Sequence, residues 1–262
     1  PSVQGEVEFR EVSFRYPGTE REVLRKVSFS ARAGETVAVV GSTGSGKTTL
    51  ISLIPRIYDP TEGEILLDGR SLAGVEPTAL RRSVGMVPQD AFLFSETLEE
   101  NVGLGLELEG SGSNQPDPRV VDAAKVAQLH DAITDFPRGY ETMLGERGIN
   151  LSGGQKQRAT LARALARDPS ILILDDALSA VDTHTETRIL EDLRRVLSGR
   201  TAFIISHRVS AVMHADQILV LDEGRIVERG THEELLARAG TYASLLRRQM
   251  LEEELEREEM VS

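Results

Sequence analysis

Apolar residues follow two different rhythms along this chain. Val7, Phe9, Val12 and Phe14 fall near an alternating pattern that Val27 and Phe29 continue, and Glu64 to Asp68 (EILLD) is another short run bounded by glycines. Alternation turns every second side chain to one face of a strand, so these segments predict a small antiparallel sheet in the N-terminal part. Thr36 to Val40 (TVAVV), Ile171 to Leu174, Ala202 to Ile205 and Ile218 to Leu221 are continuous apolar runs instead. Runs of that kind predict strands buried on both faces, as in a parallel sheet covered by helices.

Helical spacing fills much of the remainder. Leu50 to Ile54 carries it up to Pro55, Val120 to Leu129 forms one amphipathic segment, and Gln155 to Arg167 forms another that stops before Pro169. Thr183 with Glu186 predicts a capping box for a helix to Leu197, ended by Gly199, and Thr231 with Glu234 predicts a further capped helix. Gly110 to Pro118 (GSGSNQPDP) reads as a polar surface loop, and Leu251 to Glu259 (LEEELEREE) as a charged helix or frayed end. The order predicts an α/β fold, with a mainly parallel core sheet, an antiparallel β subdomain and an inserted α-helical subdomain. The expected division is a core over about 1–96 and 168–240, helices over about 97–167, and a C-terminal helix over 241–262.

Composition narrows the function classes. At 262 residues and 40% hydrophobic content the chain can bury a substantial core, and no run approaches the roughly 18 to 20 apolar residues of a membrane span. A net charge of −12 argues against a nucleic-acid partner, because phosphate backbones are bound by basic surfaces. With no cysteine and five scattered histidines, neither disulfides nor thiolate metal sites are available. The chain begins at Pro1 rather than Met and has no secretory leader pattern, which reads as a fragment or processed form of something longer.

Two glycine-rich strings carry the chemistry. Gly41-Ser42-Thr43-Gly44-Ser45-Gly46-Lys47-Thr48 fits G-x-x-x-x-G-K-[ST], with a predicted strand before it and a helix after it. Its glycines let backbone N–H groups point at α/β phosphates, Lys47 offers a cation to the β/γ oxygens, and the Thr48 hydroxyl can ligate Mg²⁺. Asp175, ending the apolar run before Asp176, is the candidate second group on the metal. Leu151 to Gln155 (LSGGQ) opens a second helix and so forms a second anion site, too far along the chain to serve the same phosphate. Two anion sites in one domain predict a nucleotide shared between two chains.

With these strings in this order, the chain resembles the nucleotide-binding domain of an ATP-binding cassette (ABC) transporter over nearly its whole length. The resemblance implies a P-loop NTPase fold of ABC type, ATP and Mg²⁺ as cofactors, and nucleotide contacts through Gly41 to Thr48 and Thr49. It implies that Tyr16 in FRYPG stacks on adenine and that Gln89 in VPQD links Mg²⁺ to the transport machinery. Ser152, Gly153, Gly154 and Gln155 correspond to the signature, Ser179 to Asp182 (SAVD) to the loop facing the other subunit, and His207 in ISHR to the switch histidine near the γ-phosphate. Leu144 to Gly148 (LGERG) resembles a loop of exporters.

Active members of that family carry Glu after the metal-binding Asp, where this chain has Asp176. A shorter side chain displaces the base, and a misplacement of about 1 Å can lower a rate ~10²-fold. This resembles the weaker subunit of heterodimeric multidrug or peptide exporters, whose partner supplies the Glu. The implied partners are a second, non-identical nucleotide-binding domain and the transmembrane domains of an exporter, at the cytoplasmic face of the cell membrane. A soluble ABC ATPase, or a regulatory clamp that closes on ATP without a membrane partner, is the alternative reading.

Overall fold

The computed structural model describes residues 3–107, 115–145 and 149–261. Most of the Gly110 to Pro118 loop and the last three residues of Leu144 to Gly148 lie outside the described residues. The chain begins with β1 (Val7–Arg15) and β2 (Glu22–Ala31), and β3 (Thr36–Val40) then runs through the glycine-rich loop into α1 (Lys47–Ser52). Next come β4 (Glu62–Leu67), β5 (Arg70–Ser71), α2 (Pro77–Arg82) and β6 (Val84–Val87). A helical stretch follows with α3 (Leu98–Val102), α4 (Pro118–Val126), α5 (His130–Thr134) and α6 (Gly153–Ala166). Strand and helix then alternate through β7 (Ile171–Asp175), α7 (Thr183–Leu197), β8 (Thr201–Ile205) and α8 (Val209–Val212). The last elements are β9 (Gln217–Asp222), β10 (Arg225–Gly230), α9 (His232–Arg238) and α10 (Thr241–Val261).

These elements form two compact units, Pro1–Arg81 with Gly199–Ser262, and Arg82–Ser198. In the first unit β2, β1, β4 and β5 pair in that order as an antiparallel sheet. The alternation along β1 changes parity between Phe9 and Val12, and the register with both neighbours shifts there, at Glu11 with its left-handed φ of 47°. The inserted residue is a β-bulge, and it is what keeps Val7, Phe9, Val12 and Phe14 all on the buried face. Phe9 stacks on Phe29 at 4.6 Å between ring centres, and Phe29 meets Phe203 of β8 edge-on at 6.3 Å. In the same unit β3 lies between β8 and β9, parallel to both, and β10 adds an antiparallel edge to β9.

In the second unit β6 and β7 pair in parallel, with Val87 opposite Leu174. The half-buried guanidinium of Arg163 on α6 donates to the Asn101 carbonyl at 2.7 Å, the Asn101 Oδ1 at 3.0 Å and the Phe92 carbonyl at 2.8 Å. Asn101 in turn brackets Phe94, accepting from its N–H and donating to its carbonyl. Burial lowers the pKa of Arg163, and these oxygens supply the hydrogen bonds that a half-buried guanidinium needs.

Two local expectations change. The segment from Val120 to Leu129 is not one helix, because Gln128 adopts a left-handed φ of 52° and separates α4 from α5. The cap of α7 is Asp182 rather than Thr183: its carboxylate accepts from the Thr185 N–H at 2.9 Å, and Glu186 is buried in the first turn. The charged C-terminal run belongs to α10, which continues to Val261. The Thr231 and Glu234 box and the left-handed Gly199 after α7 match expectation.

The antiparallel sheet depends on its aromatic core. Phe9→Ala removes a side chain only 1% exposed and is expected to lower stability by about 3 to 5 kcal/mol in urea unfolding, whereas a loss below about 1 kcal/mol would contradict this packing.

Candidate functional site

The phosphate-type loop lies in the first unit, between β3 and α1. Gly41 has φ 152°, and a Cβ there would come within 2.1 Å of the Leu221 carbonyl oxygen at the end of β9. Only glycine lets the loop turn this close to a neighbouring strand. The loop then closes on its own lysine, whose Nζ donates to the carbonyls of Gly41 at 2.8 Å and Ser42 at 2.9 Å. Lys47 is 8% exposed, so its ammonium lies inside the ring of backbone. Ser45 Oγ is buried there without a hydrogen-bond partner, a polar atom left for a group from outside. Ser42, Thr43 and Gly44 face solvent, as does Thr48.

Two further predicted residues belong to the same unit. His207, just beyond β8, lines a cavity of about 210 Å³ together with Gly41, Ser42, Thr43 and the side of α10 around Tyr242 and Leu245. Tyr16, just beyond β1, is tied to the loop's helix by a 2.9 Å hydrogen bond between its hydroxyl and Thr49 Oγ1. The first unit therefore brings together the loop, the switch-position histidine and the aromatic.

The remaining predicted residues lie in the second unit. Asp175 is 3% exposed as the last residue of β7, and Asp176 follows with φ 48°, a conformation that Asp adopts more readily than most residues. Since β6 runs parallel to β7 with Val87 opposite Leu174, Gln89 lies at the same C-terminal end as Asp175, and its side chain is exposed. That end of parallel strands is where α/β sheets bind ligands.

The signature string is the N-terminus of α6. Ser152 is the N-cap: its Oγ accepts from the Gln155 N–H at 3.2 Å, while Gln155 Oε1 accepts from the Ser152 N–H at 2.9 Å. The Gln155 side chain is thus turned back on its own helix. Gly154 packs flat against the loop Ser179 to Asp182, where a Cβ would lie 2.8 Å from the Ala180 carbonyl.

Gln157, not among the residues predicted, completes that union. Buried at 5% exposure, it donates through Nε2 to Ser179 Oγ and accepts through Oε1 from the Ala180 N–H, both at 2.8 Å. Its separation from Ser179 along the chain hides the partnership from any short-range pattern. The other end of the same loop is fixed by Asp182, whose carboxyl is held below the usual range chiefly by the Thr185 backbone N–H. Arg158, one turn into α6, donates to the Gln128 carbonyl; burial lowers its pKa and the charge of Asp182 acts in the opposite direction. Signature tip and SAVD loop are consequently one hydrogen-bonded surface.

Comparison with known proteins agrees with this geometry. The ABC transporter family profile matches residues 24–179, more than half of the chain. An ABC transporter ATP-binding protein of Bacillus subtilis (strain 168), YfiB, is 48% identical over 92% of this chain and 40% of its own length. YgaD of the same organism, named as a multidrug export ATP-binding/permease protein, is 46% identical over 93% of this chain and 41% of its own. The chain therefore spans about two-fifths of the length of these relatives. The solved structure of a bacterial Atm1-family ABC exporter with ATP bound superposes with a TM-score of 0.86 at 46% identity, covering 94% of this chain and 42% of the exporter chain. A glycine loop closed on its lysine, an acid-terminated buried strand and a capped LSGGQ helix, found in one fold with these relatives, show that the chain belongs to the ABC transporter family as an ATP-binding domain with the ABC-type P-loop NTPase fold.

Proposed function

We propose that this chain is the ATP-hydrolysing engine of a membrane exporter, working as one half of a pair that closes head to tail on ATP. The observation that carries the reading is the loop from Gly41 to Thr48 wrapped around the Lys47 ammonium, with its outer residues open to solvent. A triphosphate entering there exchanges the two carbonyl acceptors of Lys47 for charged phosphate oxygens, which form the stronger hydrogen bonds. Gly41 to Gly46 line the phosphates with backbone N–H groups, Thr49 adds a hydroxyl, and Tyr16 stacks on the base.

Mg²⁺ fits the donors present. A hydroxyl, a carboxylate and a carboxamide oxygen are hard donors, and they leave most of the coordination to phosphates and water, as this ion requires. Thr48, Asp175 and Gln89 are the residues to hold it, and when bound it neutralises charge developing on the β/γ oxygens. Asp176 is the base toward the attacking water, and His207 donates to the γ-phosphate.

Asp176 is one methylene short of the usual Glu, so this chain's own site binds ATP and hydrolyses it slowly. The capped tip at Ser152 to Gln155 serves the other site. There the Ser152 hydroxyl and the Gly153 N–H reach a γ-phosphate held by the partner, helped by the positive end of the 14-residue helix α6. Gln157 makes the SAVD loop move with that tip, so closure of one chain is felt along the interface of the other.

The partner is a second, non-identical nucleotide-binding domain that carries the Glu. Export requires transmembrane domains as well, and the relatives named as ATP-binding/permease proteins, longer than this chain, support that requirement. Among the described residues no helix is long and apolar enough to cross a membrane. Phe92 and Phe94, exposed at 63% and 44% a few residues beyond Gln89 and stacked edge-on at 5.0 Å, suit contact with such a domain. In this reading the domain works at the cytoplasmic face of the membrane. In functional terms the core is 1–96 with 168–240, and 97–167 is the helical subdomain that carries the signature.

Three variants test this reading. Asp176→Glu is expected to raise ATP turnover at this chain's own site by up to about 10²-fold, and flat turnover in the purified complex would contradict the impaired base. Ser152→Ala is expected to suppress hydrolysis at the partner's site while leaving ATP binding to this chain intact; unchanged hydrolysis would break the shared-site reading. Gln157→Ala leaves the helix tip in place but frees the SAVD loop, so hydrolysis of the pair is expected to fall about 10- to 100-fold with ATP affinity of the isolated chain unchanged.

A further inference from the structure

Tyr16, the aromatic assigned above to the adenine base, belongs to a cluster of three rings. Phe14 meets it at 4.9 Å with an interplanar angle of 85°, Tyr58 meets it at 5.3 Å and 89°, and Phe14 and Tyr58 lie 5.5 Å apart. Phe14 is buried in the sheet, whereas Tyr58 stands on the turn after α1 with 38% of its surface exposed. The rest of Tyr58 is covered, in part by those two rings. Its turn is also strapped down at both sides.

On one side the Arg56 guanidinium pairs with Asp59 at 2.8 Å and donates to the carbonyls of Leu72 at 3.0 Å and Val75 at 2.9 Å. On the other side the N–H and the hydroxyl of Thr61 both donate to the Ser13 carbonyl at 2.9 Å. Ser13 precedes Phe14 on β1, so the straps tie the turn to the strand that leads into Tyr16. The Tyr16 ring is therefore held along its body by two other rings and at its tip by Thr49, itself 6% exposed. Thr49 follows Thr48 on α1, so the tip of the Tyr16 ring is tied to the helix that leaves the phosphate loop.

We propose that Tyr58 is a positioning residue for nucleotide binding, holding the Tyr16 ring at a set distance from the phosphate loop before the base arrives. The proposal rests on Tyr16 being the adenine platform. A ring fixed in advance loses no rotational freedom when the base stacks on it, so the contribution of Tyr58 is confined to ligands that carry a base. Ligands consisting of phosphates alone do not sense it.

Titration calorimetry with Mg²⁺ and either ATP or inorganic tripolyphosphate separates these roles. Tyr16→Ala is expected to weaken ATP about 5- to 100-fold and leave tripolyphosphate unchanged. Tyr58→Ala is expected to weaken ATP about 2- to 10-fold, again with tripolyphosphate unchanged, and the double variant is expected to bind ATP as Tyr16→Ala does. Tyr58→Leu, which keeps apolar volume on the turn but no aromatic edge, is expected to behave as Tyr58→Ala. Unchanged ATP affinity in Tyr58→Ala, an equal loss for tripolyphosphate, or a double variant showing the product of the two losses would overturn the positioning role while leaving the platform standing. An unchanged ATP affinity in Tyr16→Ala would remove the platform itself, and the positioning role with it.

Discussion

The chemistry of this domain depends on how closely the backbone at Gly41 approaches β9. Any side chain at that position would meet the Leu221 carbonyl at 2.1 Å, so the turn out of β3 exists only with glycine there. The turn brings Lys47 back under the carbonyls of Gly41 and Ser42 and leaves Ser45 Oγ buried without a partner. β3 is flanked by β8 and β9 in the same unit, which gives the loop a rigid base and puts His207, just beyond β8, at its rim. A loop with this shape has its donors oriented before a phosphate arrives. Binding then requires little reorganisation, which is the condition under which electrostatic stabilisation is effective.

A second close approach, between Gly154 and the Ala180 carbonyl, does the corresponding work in the other unit. It lets α6 dock against the loop Ser179 to Asp182, and Gln157 seals the contact with two hydrogen bonds. Within each unit a glycine lets the backbone make its close approach, and one buried polar side chain holds it: Lys47 in the first, Gln157 in the second. The two surfaces are built independently, in keeping with a nucleotide held by one chain and closed upon by another.

Much of this was legible in the sequence, for identifiable physical reasons. Short apolar runs rich in β-branched residues favour buried strands, and β3, β7, β8 and β9 lie where those runs predicted them. The phosphate loop and LSGGQ are local strings, and each stands at a helix start as its spacing predicted. Long-range ties were not legible: Gln157 with Ala180, Arg163 with Asn101, and Tyr16 with Thr49 join residues separated along the chain by 23, 62 and 33 positions. β10 was missed because it is an edge strand with alternating exposure and only Ile226 and Val227 to mark it, and β6 because VGMV is short and contains glycine. The cap of α7 was misassigned because Asp182 and Thr183 are both good capping residues in adjacent positions, and only the backbone decides between them.

The central claim is that a triphosphate is gripped by the loop of one chain and closed upon by the helix tip of another. The absence of cysteine from this chain allows a direct measurement of that proximity. Ser152→Cys on this chain and a cysteine placed in the corresponding phosphate loop of a cysteine-free, Glu-bearing partner domain, mixed with a short bifunctional thiol cross-linker, report whether tip and loop meet across the interface. The account predicts an inter-chain product that forms with ATP and Mg²⁺ and disappears without nucleotide. A cross-link that never forms between chains, or forms equally well without ATP, would contradict it.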